Sequence, residues 1–476
     1  MSDRLLSVGL DVGTTSTQLV LSELVIENRA SSFAVPEMEI AQRRVLYKSP
    51  IHFTPLLEGN LVNGAGIRRI VEEEYKKAGI DRNQVDTGAI IITGETSRRE
   101  NAGRVLSELS EFAGDFVVAT AGPELESILA AKGAGAVAFS DRTGKPVLHM
   151  DIGGGTSNLA LIEHGKITKT GCLNVGGRLI KLDADGTVRY VSPVLAGLWD
   201  LRAGEKADRG QIEKIARLLV QALEMAAGLR EANSLLEQLW TKEASLPLKG
   251  GDPQGPEGWH PSGTADAEPA PLRGEPVTIS FSGGVADCIE TERPWLEFGD
   301  MGPVLGQEIR KSRLCQGNYI LGTETIRATV IGAGCHSTQL SGSTVFCQNV
   351  KLPLKNLPVV LLPEAAADLA QWMRQKKYAA EGPVVFAFTG LANPSYAQVT
   401  ELAEQICAGA GKVPILLAME QDMAKALGQS LGLRMGHDAE ILCIDRVKLT
   451  EESYLDVGQP IGPALPVVVK TLVLER

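Results

Sequence analysis

Two short segments of the chain combine an aspartate with glycine and hydroxyl side chains in a pattern that can bind phosphate. In HMDIGGGTSNLALIEHGKI (149–167) an apolar stretch ends at Asp151. The corner that follows consists of Gly153, Gly154, Gly155 and Thr156. Glycines let a ligand approach the main chain, and bare N–H groups can surround a phosphate. A carboxylate beside a phosphate needs a cation between them, and Mg²⁺ prefers carboxylate and water oxygens. A glycine-rich hairpin turn with a surface aspartate is the alternative.

The same arrangement occurs near the N-terminus, in LSVGLDVGTTSTQLVLSEL (6–24). Asp11 ends an apolar strand there, and the corner consists of Gly13, Thr14, Thr15 and Ser16. The two aspartates are 140 positions apart, which is too far for one local turn. The repeat predicts two similar half-molecules that face one ligand. Asp11 and Asp151 would hold Mg²⁺ through water, and the hydroxyls of Thr14, Thr15 and Thr156 could donate to phosphate oxygens.

A third glycine-containing segment fits the same interpretation. VTISFSGGVADCIE (277–290) reads as a strand that breaks at Gly283-Gly284 before a helix-like stretch. Glycines at this point would let the backbone lie against a flat base or ribose. An ordinary strand-to-helix turn is the alternative for this segment.

These segments resemble the motifs of the actin, Hsp70 and sugar-kinase superfamily of ATPases. LDVGTTST is similar to its first phosphate loop, MDIGGGTSNLAL to its second, and ISFSGGVA to its adenosine loop. Residues 121–138 and 327–342 resemble its two connecting helices. The resemblance implies an α/β, actin/Hsp70-like ATPase with two similar domains around a nucleotide cleft, which binds ATP and Mg²⁺.

In this superfamily an acidic residue of the first connecting helix often orients the attacking water. Glu124 and Glu126 are the candidates here, and Glu126 matches that helix slightly better. The alternative is that both are exposed acids at a helix start, where the helix dipole favours negative charge.

The organisation of the chain follows from its periodicity and composition. We predict a first ATPase domain over 1–145, with a helix at 64–78 and a strand at 88–93. A second domain over 146–342 would contain a long helix at 208–239. A Pro/Gly-rich insert at 246–276 would interrupt this domain as a solvent loop. A C-terminal α/β region over 343–476 would contain buried strands, helices at 395–410 and 420–432, and a final pair of strands.

The charge and the cysteines exclude several classes of protein. A net charge of −11 and a pI near 5.3 argue against a general nucleic-acid or anionic-membrane surface. No apolar run approaches the roughly 20 residues of a membrane helix, and the opening residues do not read as a secretory signal. Seven widely spaced cysteines without a C-x-x-C motif give little support to a zinc or iron–sulfur site and favour reduced thiols in a cytoplasm.

Three functional classes share this fold. A small-molecule kinase of the carbohydrate type is suggested by GLDVGTTST, although no clear sugar-binding aspartate is present. A filament protein is compatible with the fold, but nothing in the sequence is specific to polymerisation. The third class is an ATP-driven factor that remodels a partner enzyme.

Resemblance over nearly the whole chain favours the third class. The opening strand, GAIIITGETSRRENA (88–102), DIGGGTSNLAL, RATVIGAGCHSTQLSG and PVVVKTLVLE are together similar to the ethanolamine ammonia-lyase reactivating proteins. The resemblance implies a cytosolic, chaperone-like ATPase that releases damaged cobalamin from inactivated ethanolamine ammonia-lyase, so that adenosylcobalamin can rebind. The chain has no D-x-H-x-x-G motif for cobalamin, and we therefore expect this cofactor to stay on the partner enzyme.

Some features stay open at this level. The polar stretch from Thr93 to Thr96, with Arg98 and Arg99, could contact phosphate or the partner, or could be a capped helix start with two solvated arginines. A homo-oligomer and an association with an ethanolamine-utilisation microcompartment are both compatible with the sequence.

Overall fold

The structure of the protein is a computed structural model. The residues that it describes are 3–13, 16–28, 38–57, 61–81, 84–93, 117–120, 123–241, 277–336, 338–341, 345–362, 369–378, 383–410, 414–447, 449, 453–460 and 465–471. Thr14, Thr15, residues 94–102 and the predicted insert at 246–276 lie outside them.

The strands of the first sheet are β1 (Asp3–Val12), β2 (Ser16–Asn28), β3 (Met38–Lys48), β4 (His52–Phe53), β5 (Thr87–Ile92) and β6 (Val117–Thr120). Those that follow are β7 (Val147–Ile152), β8 (Ser157–Glu163), β9 (Lys166–Leu173), β10 (Ile180–Leu182), β11 (Val188–Val191), β12 (Thr278–Ser282) and β13 (Tyr319–Leu321). The C-terminal strands are β14 (Thr338–Leu340), β15 (Phe346–Gln348), β16 (Leu354–Leu361), β17 (Val385–Phe388), β18 (Ile415–Met419), β19 (Ile441–Ile444), β20 (Ser453–Val457) and β21 (Pro466–Thr471).

The helices alternate with these strands along much of the chain. They are α1 (Gly64–Ala78), α2 (Pro123–Gly133), α3 (Ala136–Thr143), α4 (Arg209–Ala226), α5 (Ser234–Leu239), α6 (Gly302–Lys311), α7 (Ala328–His336), α8 (Leu369–Tyr378), α9 (Tyr396–Ala410) and α10 (Ala424–Met435). The bounds of α1 coincide with the predicted helix at 64–78. Asn63 caps its first turn, and Gly79 ends it in the left-handed conformation (φ 69°).

Two of the sheets have the same topology. The first has the order β3-β2-β1-β5-β6, and the second has the order β9-β8-β7-β12-β13. In each sheet, three antiparallel strands are followed by two strands that run parallel to the first of them. The predicted fold class, an α/β protein with two similar halves, is confirmed.

The central strands of both halves are buried along their whole length. All six residues of β5 and all six of β7 are buried, because helices and loops cover both faces of parallel strands. In β5 these residues are mainly apolar, as the burial requires. In β7 two of the six are His149 and Asp151, and such residues are buried mainly where they have polar partners.

Helices α2 and α7 pack against each other between the two halves. A Cβ on Gly133 would lie 1.9 Å from the carbonyl oxygen of Ala328, and one on Gly332 would lie 2.1 Å from that of Leu129. Only glycine at these crossings allows the two helices to approach so closely. Helix α7 also reaches the first half, where the Ser7 hydroxyl donates to the Gly334 carbonyl oxygen.

The C-terminal sheet has the order β14-β21-β20-β16-β17-β18-β19-β15. Strands β16 to β19 are parallel and follow one another in chain order, with α8, α9 and α10 between them. Strands β20 and β21 form the predicted final antiparallel pair. The exact domain boundaries at 145/146 and 342/343 remain predictions.

One predicted element is wrong. The helix expected at 208–239 is divided into α4 and α5, because the chain turns at Gly228 (φ 69°) and Asn233 caps a new helix. The apolar spacing continues through the break, but Leu229 is partly exposed. Among the described residues, no helix combines the length and the apolar character that crossing a membrane requires.

Candidate active site

The two predicted corners are closed by equivalent hydrogen bonds. The Gly13 N–H donates to the Ser16 carbonyl oxygen at 2.9 Å, and the Gly153 N–H donates to the Thr156 carbonyl oxygen at 2.9 Å. In each corner the first strand ends in an Asp-x-Gly sequence and the next strand returns antiparallel to it. The sequence repeat therefore corresponds to a structural repeat, one copy in each half.

Asp11 lies near the carboxyl end of β1, where the neighbouring parallel strand β5 also ends. Thr93, just after β5, donates its hydroxyl to Asp11 Oδ1 at 2.8 Å. Burial raises the pKa of Asp11 to about 7; the Thr93 hydrogen bond lowers it, and the negative charge of Asp151 raises it further. The two carboxylates therefore lie close enough for their charges to interact.

Asp151 occupies the equivalent position on β7 and is 9% exposed. Burial raises the pKa of Asp151 to about 6, although hydrogen bonds from the hydroxyls of Ser282 and Thr329 act to lower this pKa. Ser282 belongs to β12, which runs parallel to β7, and Thr329 belongs to α7. Side chains of two other elements thus determine the orientation of this carboxylate.

The second loop is open at its tip. Gly155 is exposed, and a Cβ added there would have no neighbour within 4 Å, whereas Gly153 and Thr156 are partly exposed. The N–H groups of Gly177 and Arg178 donate to the carbonyl oxygens of Gly153 and Gly154, respectively. The loop is therefore anchored through its carbonyl oxygens while its tip stays accessible to a ligand.

Arg178 brings a cation beside this loop. Its Cδ would lie 3.2 Å from a Cβ placed on Gly154, and its Nε donates to Asp300 Oδ2 at 3.2 Å. Its side chain is 33% exposed and forms an ion pair with Asp300.

The structure separates the two candidate acids of α2. Glu126 is 7% exposed and accepts a hydrogen bond from the Asn158 amide (Nδ2 to Oε2, 2.7 Å). Glu124 is partly exposed, and burial raises the pKa of its carboxyl group. Asn158 lies directly across from Asp151 in the β7–β8 ladder. Glu126 is therefore connected to the second corner, and the alternative of an exposed helix-start acid is wrong for Glu126.

Two buried amide oxygens test whether this site suits a magnesium ion. Since the Asn158 amide nitrogen faces Glu126, its oxygen points elsewhere and has no hydrogen-bond partner among the described residues. Gln18 lies across from Asp11, and its side-chain N–H donates a hydrogen bond to the Ile326 carbonyl oxygen. The side-chain oxygen of Gln18 has no hydrogen-bond partner within the described chain. Carboxylate and amide oxygens are the ligand types that Mg²⁺ accepts, so the residues fit this ion.

The site offers few protein ligands. Within the described residues, no group of three or more His, Cys, Asp or Glu side chains could hold a metal ion. Sites of Mg²⁺ with phosphates commonly use one or two carboxylates together with waters and phosphate oxygens. The pair Asp11 and Asp151 matches that pattern.

The two glycines after β12 differ in their surroundings. Gly283 has φ 85°, and a Cβ there would lie 2.3 Å from the Ile152 carbonyl oxygen, so packing against the end of β7 already requires this glycine. A Cβ on Gly284 would meet only the side chain of Ile326, at 3.5 Å. Gly284 therefore has room on one side, as an adenosine-contacting residue would need.

Sequence reasoning did not identify Asn158, Gln18, Ser282 or Arg178. Asn158 and Gln18 could have been found, because each stands seven positions after its corner aspartate. Ser282 is a hydroxyl residue at the end of a fully buried strand, directly before the glycine pair. Arg178 carries no comparable local signal, because a separate loop brings it to the site.

The solved structures to which the chain is similar have low sequence identity to it. The ethanolamine utilization protein EutJ from Carboxydothermus hydrogenoformans is 19% identical, with a TM-score of 0.32, over 69% of this chain and 89% of that one.

The two halves of equal topology, each with an aspartate corner at the end of its first strand, define an α/β protein with an internal structural repeat. Reactivases of ethanolamine ammonia-lyase named EutA, from Salmonella typhimurium and Escherichia coli, are each 37% identical to this chain and cover 98% of it and 98% of their own length. The model of the family described as ethanolamine utilisation protein EutA matches residues 3–475. The chain belongs to that family.

Proposed function

We propose that this protein is a Mg²⁺-dependent ATPase that reactivates ethanolamine ammonia-lyase by releasing damaged cobalamin from it. The observation that carries the ATPase part is the pair of Asp-x-Gly corners, each closed by the same kind of Gly N–H hydrogen bond, with Asp11 and Asp151 at equivalent positions of β1 and β7. The reactivase part is supported by the names of the two relatives, which are similar to this chain over nearly its whole length.

The residues of the site divide into three roles. Asp11 and Asp151 hold Mg²⁺, which neutralises phosphate charge when it is bound. The backbone of the two loops and the hydroxyls of Thr14, Thr15 and Thr156 bind the phosphates. Gly283 and Gly284 lie against the adenosine. Arg178, which the sequence did not indicate, adds a positive charge beside the second loop.

Hydrolysis by such a site depends on positioning and charge neutralisation rather than on covalent catalysis. Glu126 orients the attacking water, and the Asn158 amide holds its carboxylate in place. The Asn158 side-chain oxygen, which has no hydrogen-bond partner within the described residues, would accept a hydrogen bond from that water.

Glu126→Gln is expected to lower ATP hydrolysis by roughly 100-fold, the scale on which a positioned acid or base contributes. Glutamine can still accept the hydrogen bond from Asn158, so the substitution removes the charge and keeps the contact. Nucleotide binding should persist. Glu124→Gln, in the same helical turn, is the matched control and should hydrolyse ATP at nearly the wild-type rate. The reverse order of effects would reassign the role to Glu124.

Coupling to the lyase requires that nucleotide changes the relation between the two halves. A ligand shifts such an equilibrium only by its differential affinity for the two states. The glycine crossings of α2 and α7 tie the halves together next to the corners, so a change at the phosphates is transmitted through these helices. A partner surface that binds the lyase better in one state would loosen the hold of the lyase on cobalamin, which stays on that enzyme.

A small-molecule kinase of the carbohydrate type is the alternative function, and one experiment separates the two. The protein is incubated with ATP labelled at the γ-phosphate, Mg²⁺, and a panel of sugars and polyols. We expect free phosphate as the only labelled product, because a remodelling ATPase transfers the phosphoryl group to water. A labelled sugar or polyol phosphate would move the assignment to the kinases.

The proposed activity implies a place of action. The lyase and its reactivating factor must meet, so we place the protein in the cytoplasm, in association with an ethanolamine-utilisation microcompartment.

A further inference from the structure

A buried histidine lies beside the second corner. His149 has no exposed surface and sits two residues before Asp151 on β7, so both side chains point to the same side of the strand. Its Nδ1 lies 3.0 Å from Ser280 Oγ, and its Nε2 lies 2.9 Å from Ser282 Oγ. Ser280 and Ser282 belong to the neighbouring strand β12 and are likewise fully buried.

The direction of these hydrogen bonds follows from the charge on Asp151. An ionised carboxylate only accepts, so Ser282 must donate its hydroxyl hydrogen to Asp151 Oδ1. The Ser282 oxygen can then only accept from His149, and Nε2 must carry the proton. Nδ1 is left as an acceptor for the Ser280 hydroxyl.

From this geometry we infer that Ser282 and His149 are positioning residues for Asp151: the Ser280–His149–Ser282 chain fixes the carboxylate oxygen Oδ1 and thereby the orientation in which Asp151 would hold the cation. The inference rests on the proposed function of Asp151 as a magnesium ligand. It assigns a role to residues that neither touch the nucleotide nor belong to either loop.

Stability alone does not account for three polar side chains at these positions. Burying hydroxyl and imidazole groups is costly unless every group is hydrogen-bonded, and apolar residues of similar volume can replace such networks at little cost. Here each member has a partner, and the chain ends on a carboxylate. A hydrogen bond to an ionised acceptor is stronger than one between neutral groups. Loss of the Ser282 hydrogen bond should therefore change the orientation of the Asp151 carboxylate.

The first test compares Ser282→Ala with Ser140→Ala. Ser140 is equally buried, in α3 of the structure, and its hydroxyl donates to the Lys145 carbonyl oxygen at 2.8 Å, away from the site. Ser282→Ala should raise the Mg²⁺ concentration for half-maximal ATP hydrolysis by about tenfold, the scale of a lost hydrogen bond to a charged group. The rate at saturating Mg²⁺ should change much less. Ser140→Ala should leave the Mg²⁺ dependence unaltered.

The second test needs no nucleotide. Nitrogen-15 NMR of histidine-labelled protein distinguishes a protonated from a bare ring nitrogen, and His149 is one of six histidines, identified by loss of its signals in His149→Asn. We expect the Nε2–H form in the wild type, and in Ser280→Ala a shift of the Nδ1 signal towards that of an unbonded nitrogen. Observation of the Nδ1–H form would overturn the assigned direction.

The outcomes separate this inference from the proposed function. An active wild type whose Ser282→Ala variant keeps the wild-type Mg²⁺ dependence contradicts the positioning role alone. A wild type that neither binds nor hydrolyses ATP contradicts the proposed function, whatever the NMR spectra show.

Discussion

Asp151→Asn and Asp11→Asn are each expected to reduce Mg²⁺-dependent ATP hydrolysis by about 100-fold or more, because charge neutralisation at the phosphates supplies most of the catalysis in such sites. Asparagine has nearly the same shape but lacks the negative charge that holds the cation. The measurement is steady-state phosphate release over a range of Mg²⁺ concentrations. Asp141→Asn, at an exposed position of α3, is the control and should be fully active. Full activity of both corner variants would exclude the two-loop site.

The Asp151→Asn variant should also be more stable than the wild type at neutral pH when Mg²⁺ and nucleotide are absent. The folded-state pKa of Asp151, about 6, lies above the ordinary value of 3.8. The folded protein therefore binds this proton more tightly than the unfolded chain, and its stability falls as the pH rises from about 4 to about 6. An asparagine side chain does not ionise and avoids this loss, so the free energy of unfolding in urea should exceed that of the wild type by roughly 1–3 kcal/mol at pH 7.5. The two proteins should differ less at pH 4.5. Loss of activity with greater stability would distinguish a functional carboxylate from a structural one.

Recovery of inactivated ethanolamine ammonia-lyase is the second large effect that we expect. A lyase that holds cobalamin without its adenosyl group should regain activity when this protein, ATP, Mg²⁺ and fresh adenosylcobalamin are added together. Omission of any one of them should prevent recovery. The reason is linkage, since nucleotide can change the affinity for the lyase only if the lyase binds one state of the ATPase better than the other.

Gly284→Val tests that link at the proposed adenosine contact. A Cβ there has only the Ile326 side chain nearby, so the valine methyl groups would extend into the space assigned to the nucleotide. We expect recovery to be abolished even where binding of the lyase in a pull-down survives. Gly317→Val is the control, because Gly317 is exposed and an added Cβ has no neighbour within 4 Å. Equal recovery with and without the protein would reject the reactivase proposal and leave the fold.

The amino-acid sequence by itself determined the local features of this protein. Each corner forms within six residues, from an aspartate, a glycine and a hydroxyl residue whose turn closes through one hydrogen bond. Helix α1 begins at an Asn cap and ends at a glycine, and both signals lie next to the helix. The repeat at a spacing of 140 residues predicted two similar halves, because equal local sequences fold into equal local turns.

Only the tertiary structure decided which groups meet at the site. Ser282 donates a hydrogen bond to Asp151 from 131 positions away in the chain. The Asn158 amide, on β8, donates a hydrogen bond to Glu126 of α2, and this contact distinguishes Glu126 from Glu124. Residue periodicity indicates which face of a strand is buried, but it does not identify the neighbour that lies against that face. The predicted helix at 208–239 shows the same limit, because its apolar spacing continues through a turn. Gly228 and the cap at Asn233 allow this turn, and the packing of α5 requires it.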